Sequence, residues 1–213
     1  MPSIFDPLLV FVLLLNLFVL GTSRLRAVIG ASALQGVCLG VLAILAHATI
    51  TAEVVIVGLV AIGLKAVLIP RLLLKAMRDV AISRDVEPLI GLIPSLVIGA
   101  VGTGVSVVFA QTLPVAPSFE GSLIMPASFA TVLTGCLVVI TRRKAITQVV
   151  GYLILENGIF IMGLGLLDAM PFLVEVGVLL DLFVAIFVMG IILNHISRDF
   201  SATDAAELTS LKE

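Results

Sequence analysis

The sequence predicts an all-α integral membrane protein with seven transmembrane helices, arranged as two parallel three-helix repeats joined by a fourth helix. Three observations predict it. Of the 213 residues, 61% are hydrophobic and only 12% are charged, whereas a soluble domain carries roughly 25% charged residues. Seven apolar segments are each long enough, at about 20 residues, to cross a bilayer core as a helix. Lys and Arg concentrate in alternate connections between those segments, as the positive-inside rule requires.

The first segment covers 5–22. No Lys or Arg precedes it and no small-residue cleavage motif follows, so a retained helix is expected rather than a removed signal peptide. The second covers 26–47 after Arg24. The third, 52–75, carries Lys65 in its interior and Pro70 beyond it, which is expected to bend the helix and free a carbonyl. The fourth covers 88–111, the fifth 123–141 and the sixth 145–167. The seventh, 172–195, follows the short connection Asp168-Ala169-Met170-Pro171. No segment has room for a separate soluble domain.

The basic residues orient these spans. Arg24 and Arg26 follow segment one, Arg71, Lys75, Arg78 and Arg84 end or follow segment three, Arg142, Arg143 and Lys144 follow segment five, and Arg198 and Lys212 follow segment seven. The intervening connections, around Ala48, Val115 and Ala169, hold no Lys or Arg. The expected topology is multi-pass in the plasma (inner) membrane, with the N-terminus outside and the C-terminus cytoplasmic. The polar tail from Ser197 to Glu213, with an N-cap for a short helix near Thr203 and Asp204, reads either as a frayed terminus or as a contact with a cytoplasmic partner.

Segments one to three and five to seven read as two copies of one unit. In each copy basic residues precede a Val-Ile-Gly or Val-Val-Gly step. Aligning Gly30 with Gly151 sets Gln35 opposite Glu156. Coincidence between two sets of apolar helices is the competing reading. The implied division is a first repeat at 1–76, a loop, linking helix and outer loop at 77–122, a second repeat at 123–195 and a cytoplasmic tail at 196–213.

Ionisable groups deep in apolar helices are expensive, which makes them the candidate site. Glu156 stands about eleven residues, or ~17 Å, along segment six, and Asp181 about nine residues, or ~14 Å, along segment seven, by a rise of 1.5 Å per residue. Two antiparallel neighbours thus carry acids at similar depth, suited to taking up and releasing protons, with structural hydrogen bonding between helices as the alternative. Lys65 lies too far from the surface for easy snorkelling and is either a charge-relay element or a structural pairing partner. Tyr152, four residues before Glu156, shares its face and is a candidate hydrogen-bond partner, with packing at a helix interface as the equal alternative. Glu53 and Glu175 sit at the outer ends of segments three and seven, near helix N-termini, where the dipole stabilises an anion; helix-end stabilisation is the main reading and a mouth for proton exit the sharper one.

Other chemistries lack support. Cys38 and Cys136 form no CxxC pair, and His47 and His195 fall at opposite ends of helices. A metal, iron–sulfur or haem site in this chain is not expected, nor any cofactor. No phosphate loop or catalytic triad pattern is present.

The stretch VVITRRKAITQVVGYLILENGIFIMGLGL runs from a helix end through a basic turn into a helix with one central Glu. It resembles the three-helix K subunit of respiratory complex I and its relatives in multisubunit cation/proton antiporters. Glu156 matches that central Glu. Asp181, within LVEVGVLLDLFVAIFVMGIILNHI, is the match for the family's second membrane acid, with Glu175 as the other choice; Asp here replaces the usual Glu. With its length, additional N-terminal helices and the ending NHISRDF, the chain resembles the hydrogenase-4 component E family across nearly its whole length. That resemblance implies a non-catalytic membrane subunit of a complex-I-like hydrogenase or formate hydrogenlyase assembly. The nickel–iron and iron–sulfur centres would lie in partner subunits, beside antiporter-like membrane subunits, and the chain would contribute to a proton path. Rival readings are a sodium/proton antiporter subunit without redox partners, and a scaffold bundle whose acids only pin its neighbours.

Overall fold

A computed structural model describes residues 2–46, 52–79, 88–113 and 121–165. Helices account for nearly all of them, with no strand beyond one isolated bridge between Pro88 and Arg142. Helix α1 spans Pro2–Gly21, α2 Leu25–Ala46, α3 Ala52–Ile62, α4 Ile69–Asp79, α5 Leu92–Ala110, α6 Ile124–Thr141 and α7 Ala145–Gly165. Four of these, α2, α5, α6 and α7, are long and apolar enough to cross a membrane, and α1 contributes a shorter apolar helix from Phe5 to Gly21. The predicted segments 5–22, 26–47, 88–111, 123–141 and 145–167 each coincide with one helix to within a few residues. The predicted span 172–195 and the tail lie outside the described residues, so seven spans are an expectation, and the described residues supply four helices of spanning length and apolarity.

The third segment differs in kind from the prediction. Gly63–Leu68 is a π-helical turn that joins α3 to α4 without a break. Pro70 has no N–H to donate and its ring crowds the carbonyl one turn back. The chain answers by widening the helix just before the proline, and the Ile69 N–H reaches back to the Leu64 carbonyl. Widening of this kind commonly marks functional positions, and Lys65 sits inside it.

Helices α1, α2, α6 and α7 form the centre of the bundle. Helix α5 packs outside on α1 and α6, and the α3–π–α4 rod lies outside on α2. The centre is layered. One apolar cluster joins Leu20, Leu25, Ile29, Leu73, Val150 and Ile154 near the α1–α2 and α6–α7 turns. A second joins Phe5, Leu9, Leu39, Leu42, Ile124 and Ile161 near the other end. Between them lies a buried polar layer. The exposed faces are apolar, including Ile93, Val97, Val101 and Val108 on α5, as expected where lipid rather than water is the solvent.

Each end is fastened by a polar contact. The Leu123 N–H, at the entry to α6, donates to Asp6 Oδ1 at 3.1 Å, an arrangement the helix dipole favours. At the opposite end Arg142, between α6 and α7, is 1% exposed. Its Nη2 donates to the Leu20 carbonyl near the end of α1 at 3.2 Å, where the dipole favours a cation. Burial pushes this guanidinium down from its ordinary value. The Leu89 N–H donates to the Thr141 carbonyl and draws the entry to α5 to the same end.

Candidate functional site

Glu156 and Lys65 meet. Lys65 Nζ lies 2.8 Å from Glu156 Oε1 and 3.2 Å from Asn157 Oδ1. It also stands over the Phe160 ring, 5.7 Å from the centroid, within the range of a cation–π contact. Glu156 and Asn157 are each 2% exposed, and the Lys65 side chain is 10% exposed. An isolated charge here would face a desolvation penalty of several kcal/mol; pairing and added hydrogen bonds offset it.

The lysine reaches the acid because the backbone lets it. Helix α2 presents Gly36 to the π-turn, and a Cβ there would stand 2.7 Å from Lys65 Cβ and 3.3 Å from its backbone carbon. The missing side chain lets the lysine stem pass close to α2 and arrive at α7. On the other side, α6 and α7 touch through glycine. A Cβ on Gly158 would lie 2.6 Å from the Val132 backbone nitrogen, and one on Gly151 would lie 2.9 Å from that of Val139. Small residues permit such approach between membrane helices, and it fixes where Glu156 and Asn157 sit.

The polar layer continues from Asn157 across the bundle. Asn157 Nδ2 donates to Gln35 Oε1 at 3.3 Å, Gln35 Nε2 to Asn16 Oδ1 at 2.7 Å, and Asn16 Nδ2 to Thr131 Oγ1 at 2.8 Å. Thr131 Oγ1 then donates to the Ala127 carbonyl, one turn back on α6, at 2.7 Å. Asn16, Gln35 and Thr131 are wholly buried. The chain of contacts ties together α1, α2, α6 and α7, with the π-turn attached through Lys65.

Among the residues singled out from sequence, the structure brings Glu156 and Lys65 into direct contact. Tyr152 is half-buried and packs against the apolar cluster nearer the basic turns. Asp181 and Glu175, like His47 and His195, lie outside the described residues. Asn16 and Thr131 were missed by sequence reasoning, and Gln35 was marked only as the neutral counterpart of Glu156. The available signal was a lone amide in each of two otherwise apolar spans. Among the described residues no group of three or more His, Cys, Asp or Glu side chains is placed to hold a metal ion.

Comparison with known proteins gives two levels of similarity. The chain is 34% identical over 193 residues to "Uncharacterized protein Rv0085" of Mycobacterium tuberculosis, covering 89% of this chain and 87% of that one. It is 31% identical over 100 residues to "Hydrogenase-4 component E" of Escherichia coli K12, covering 47% of this chain and 45% of that one, with the same figures for the Shigella flexneri protein. The similarity to hydrogenase-4 component E is therefore shorter than the near-full-length resemblance expected from the motifs. No family model matches the chain, and no solved structure does.

Proposed function

Because the chain belongs to the same family as the mycobacterial protein Rv0085 and shares about half its length with hydrogenase-4 component E, we propose that it is a non-catalytic membrane subunit of a hydrogenase-type, complex-I-like assembly. In this reading it contributes to a proton path coupled to redox chemistry in other subunits. Nickel–iron and iron–sulfur centres belong to those partners, and antiporter-like subunits are its neighbours in the membrane. Seven spans in two parallel repeats, with the N-terminus outside, complete the picture.

The observation that carries the reading is the Lys65–Glu156 pair. A bundle needing only stability would do as well with apolar side chains there, since a buried ion pair is often no more stabilising than a hydrophobic substitute. Retaining a carboxylate and an ammonium in contact, at the edge of a buried hydrogen-bonded layer, suits a group that exchanges protons. Asp181 is the proposed next acid, with Glu175 as the alternative, and Tyr152 is proposed to line the path.

The test is Glu156→Gln in the assembled complex. We expect the complex to assemble and to lose proton translocation. Normal translocation by an intact variant complex would leave only a scaffold role for Glu156. Bound nickel and iron in the purified complex separate the hydrogenase reading from a sodium/proton antiporter, which needs neither.

A further inference from the structure

The hydrogen-bond chain across the bundle has a direction, and the direction is set at its far end. The Ala127 carbonyl can only accept, so the Thr131 hydroxyl must donate to it. Having used its proton, Thr131 Oγ1 accepts, and Asn16 must turn its NH2 toward it. Asn16 then faces Gln35 with its carbonyl, and Gln35 must donate through Nε2. Gln35 in turn offers Oε1 to Asn157. Asn157 is left with one orientation, its carbonyl oxygen toward Lys65. Glu156 offers a carboxylate oxygen at the same point, and the Phe160 ring offers its negative face. Two oxygens and an aromatic face converge on one position, which is an arrangement for a cation.

We propose that Glu156, Asn157 and Phe160 form a monovalent-cation site, and that the Lys65 ammonium is its tethered occupant and excludes sodium from Glu156. The ammonium occupies the point where a free cation would bind, and its effective concentration there, on a short tether, is far above that of any dissolved ion. The amide chain locks the site in its acceptor form, and Gly36 leaves room for the lysine stem to pass close to α2. Removal of the ammonium leaves the oxygens oriented for a small hard cation, which prefers carboxylate and carbonyl ligands. The proposal rests on reading Glu156 as an ion-handling carboxyl, and it narrows the ion to the proton.

The experiment uses the full-length chain in lipid nanodiscs, with thermal unfolding followed in sodium chloride and in choline chloride at matched ionic strength. Wild type and Lys65→Arg should show no saturable difference between the two salts. Lys65→Ala should gain saturable stabilisation by sodium, with the folded-to-unfolded ratio rising about elevenfold at sodium ten times its Kd. Lys65→Ala combined with Glu156→Gln should lose that gain. A saturable sodium effect in wild type, its absence in Lys65→Ala, or its survival in the double variant would each overturn the proposal. Lys65→Met, which keeps an unbranched stem beside Gly36, carries the same test if the alanine variant is not recovered. Recovery of either variant in sodium but not in choline counts for the proposal, and recovery of neither in both media counts against it. The purified chain has no redox partner, so this outcome is independent of the translocation assay on the assembled complex.

Discussion

The α1–α2 hairpin and the α6–α7 hairpin turn alike and pack differently. In the first, the Arg24 carbonyl accepts from the N–H groups of Ala27 and Val28; in the second, the Lys144 carbonyl accepts from those of Thr147 and Gln148. Each pair of helices is joined by three residues, and each turn is basic. Beyond the turn the resemblance ends. Gly151 presses on the backbone of the facing helix, whereas a Cβ on Gly30 would meet no atom within 4 Å. The close hairpin carries Glu156 and Asn157, and the open one contributes the neutral Asn16 and Gln35 to the polar layer. Close backbone contact fixes the charged group in place. The looser hairpin needs no such precision, because its amides are located by the hydrogen bonds they make.

The largest effect should come from breaking the charge pair of the close hairpin. Lys65→Ala or Glu156→Gln alone strands a buried partner and should destabilise by about 3–5 kcal/mol. The double variant Lys65→Met with Glu156→Leu should recover much of that loss, and a double-mutant cycle in reversible unfolding measures the coupling. Single variants near wild-type stability would mean the pair is hydrated rather than buried.

Gly151→Ala comes next. Its new methyl group meets the α6 backbone, and overpacking of this kind costs about 1–3 kcal/mol. The matched change Gly30→Ala should lower stability not at all, since its site is open and alanine favours the helix. Equal losses at the two positions would erase the contrast between the hairpins.

The open hairpin should respond to its amides. Gln35→Leu leaves the Asn157 amide and the Asn16 carbonyl unsatisfied, at about 1–3 kcal/mol. Thr131→Val should cost less, and Thr131→Ser should restore the wild-type value if direction in the chain matters. Ile93→Ala, at 78% exposure on α5, marks the floor, with an expected change within about 0.5 kcal/mol.

The helices were legible because their signal is local. Apolar runs of bilayer length, broken by basic turns at Arg24 and at Arg142, locate five helices to within a few residues. Pro70 announced a disturbance in the third, but the form it took depended on packing. A proline can kink a helix or be absorbed by a widened turn, and the neighbouring helix at Gly36 favours the form that carries Lys65 toward α7. The charged residues of the site were legible for the same local reason, that an ionisable group in an apolar span is anomalous wherever its partner lies.

The sequence by itself determined that this is a membrane protein, where most of its helices run and that Lys65 and Glu156 are among its costly residues. Only the tertiary structure decided that these two meet across 91 positions of chain and that Asn157, Gln35, Asn16 and Thr131 form a one-way chain behind them. The physical reason is the uniform apolarity that identifies the spans. A helix hydrophobic on all sides shows no face to a reader of its sequence, so neighbours and contacts are settled by glycine gaps, a proline-widened turn and the demand that every buried polar group find a partner.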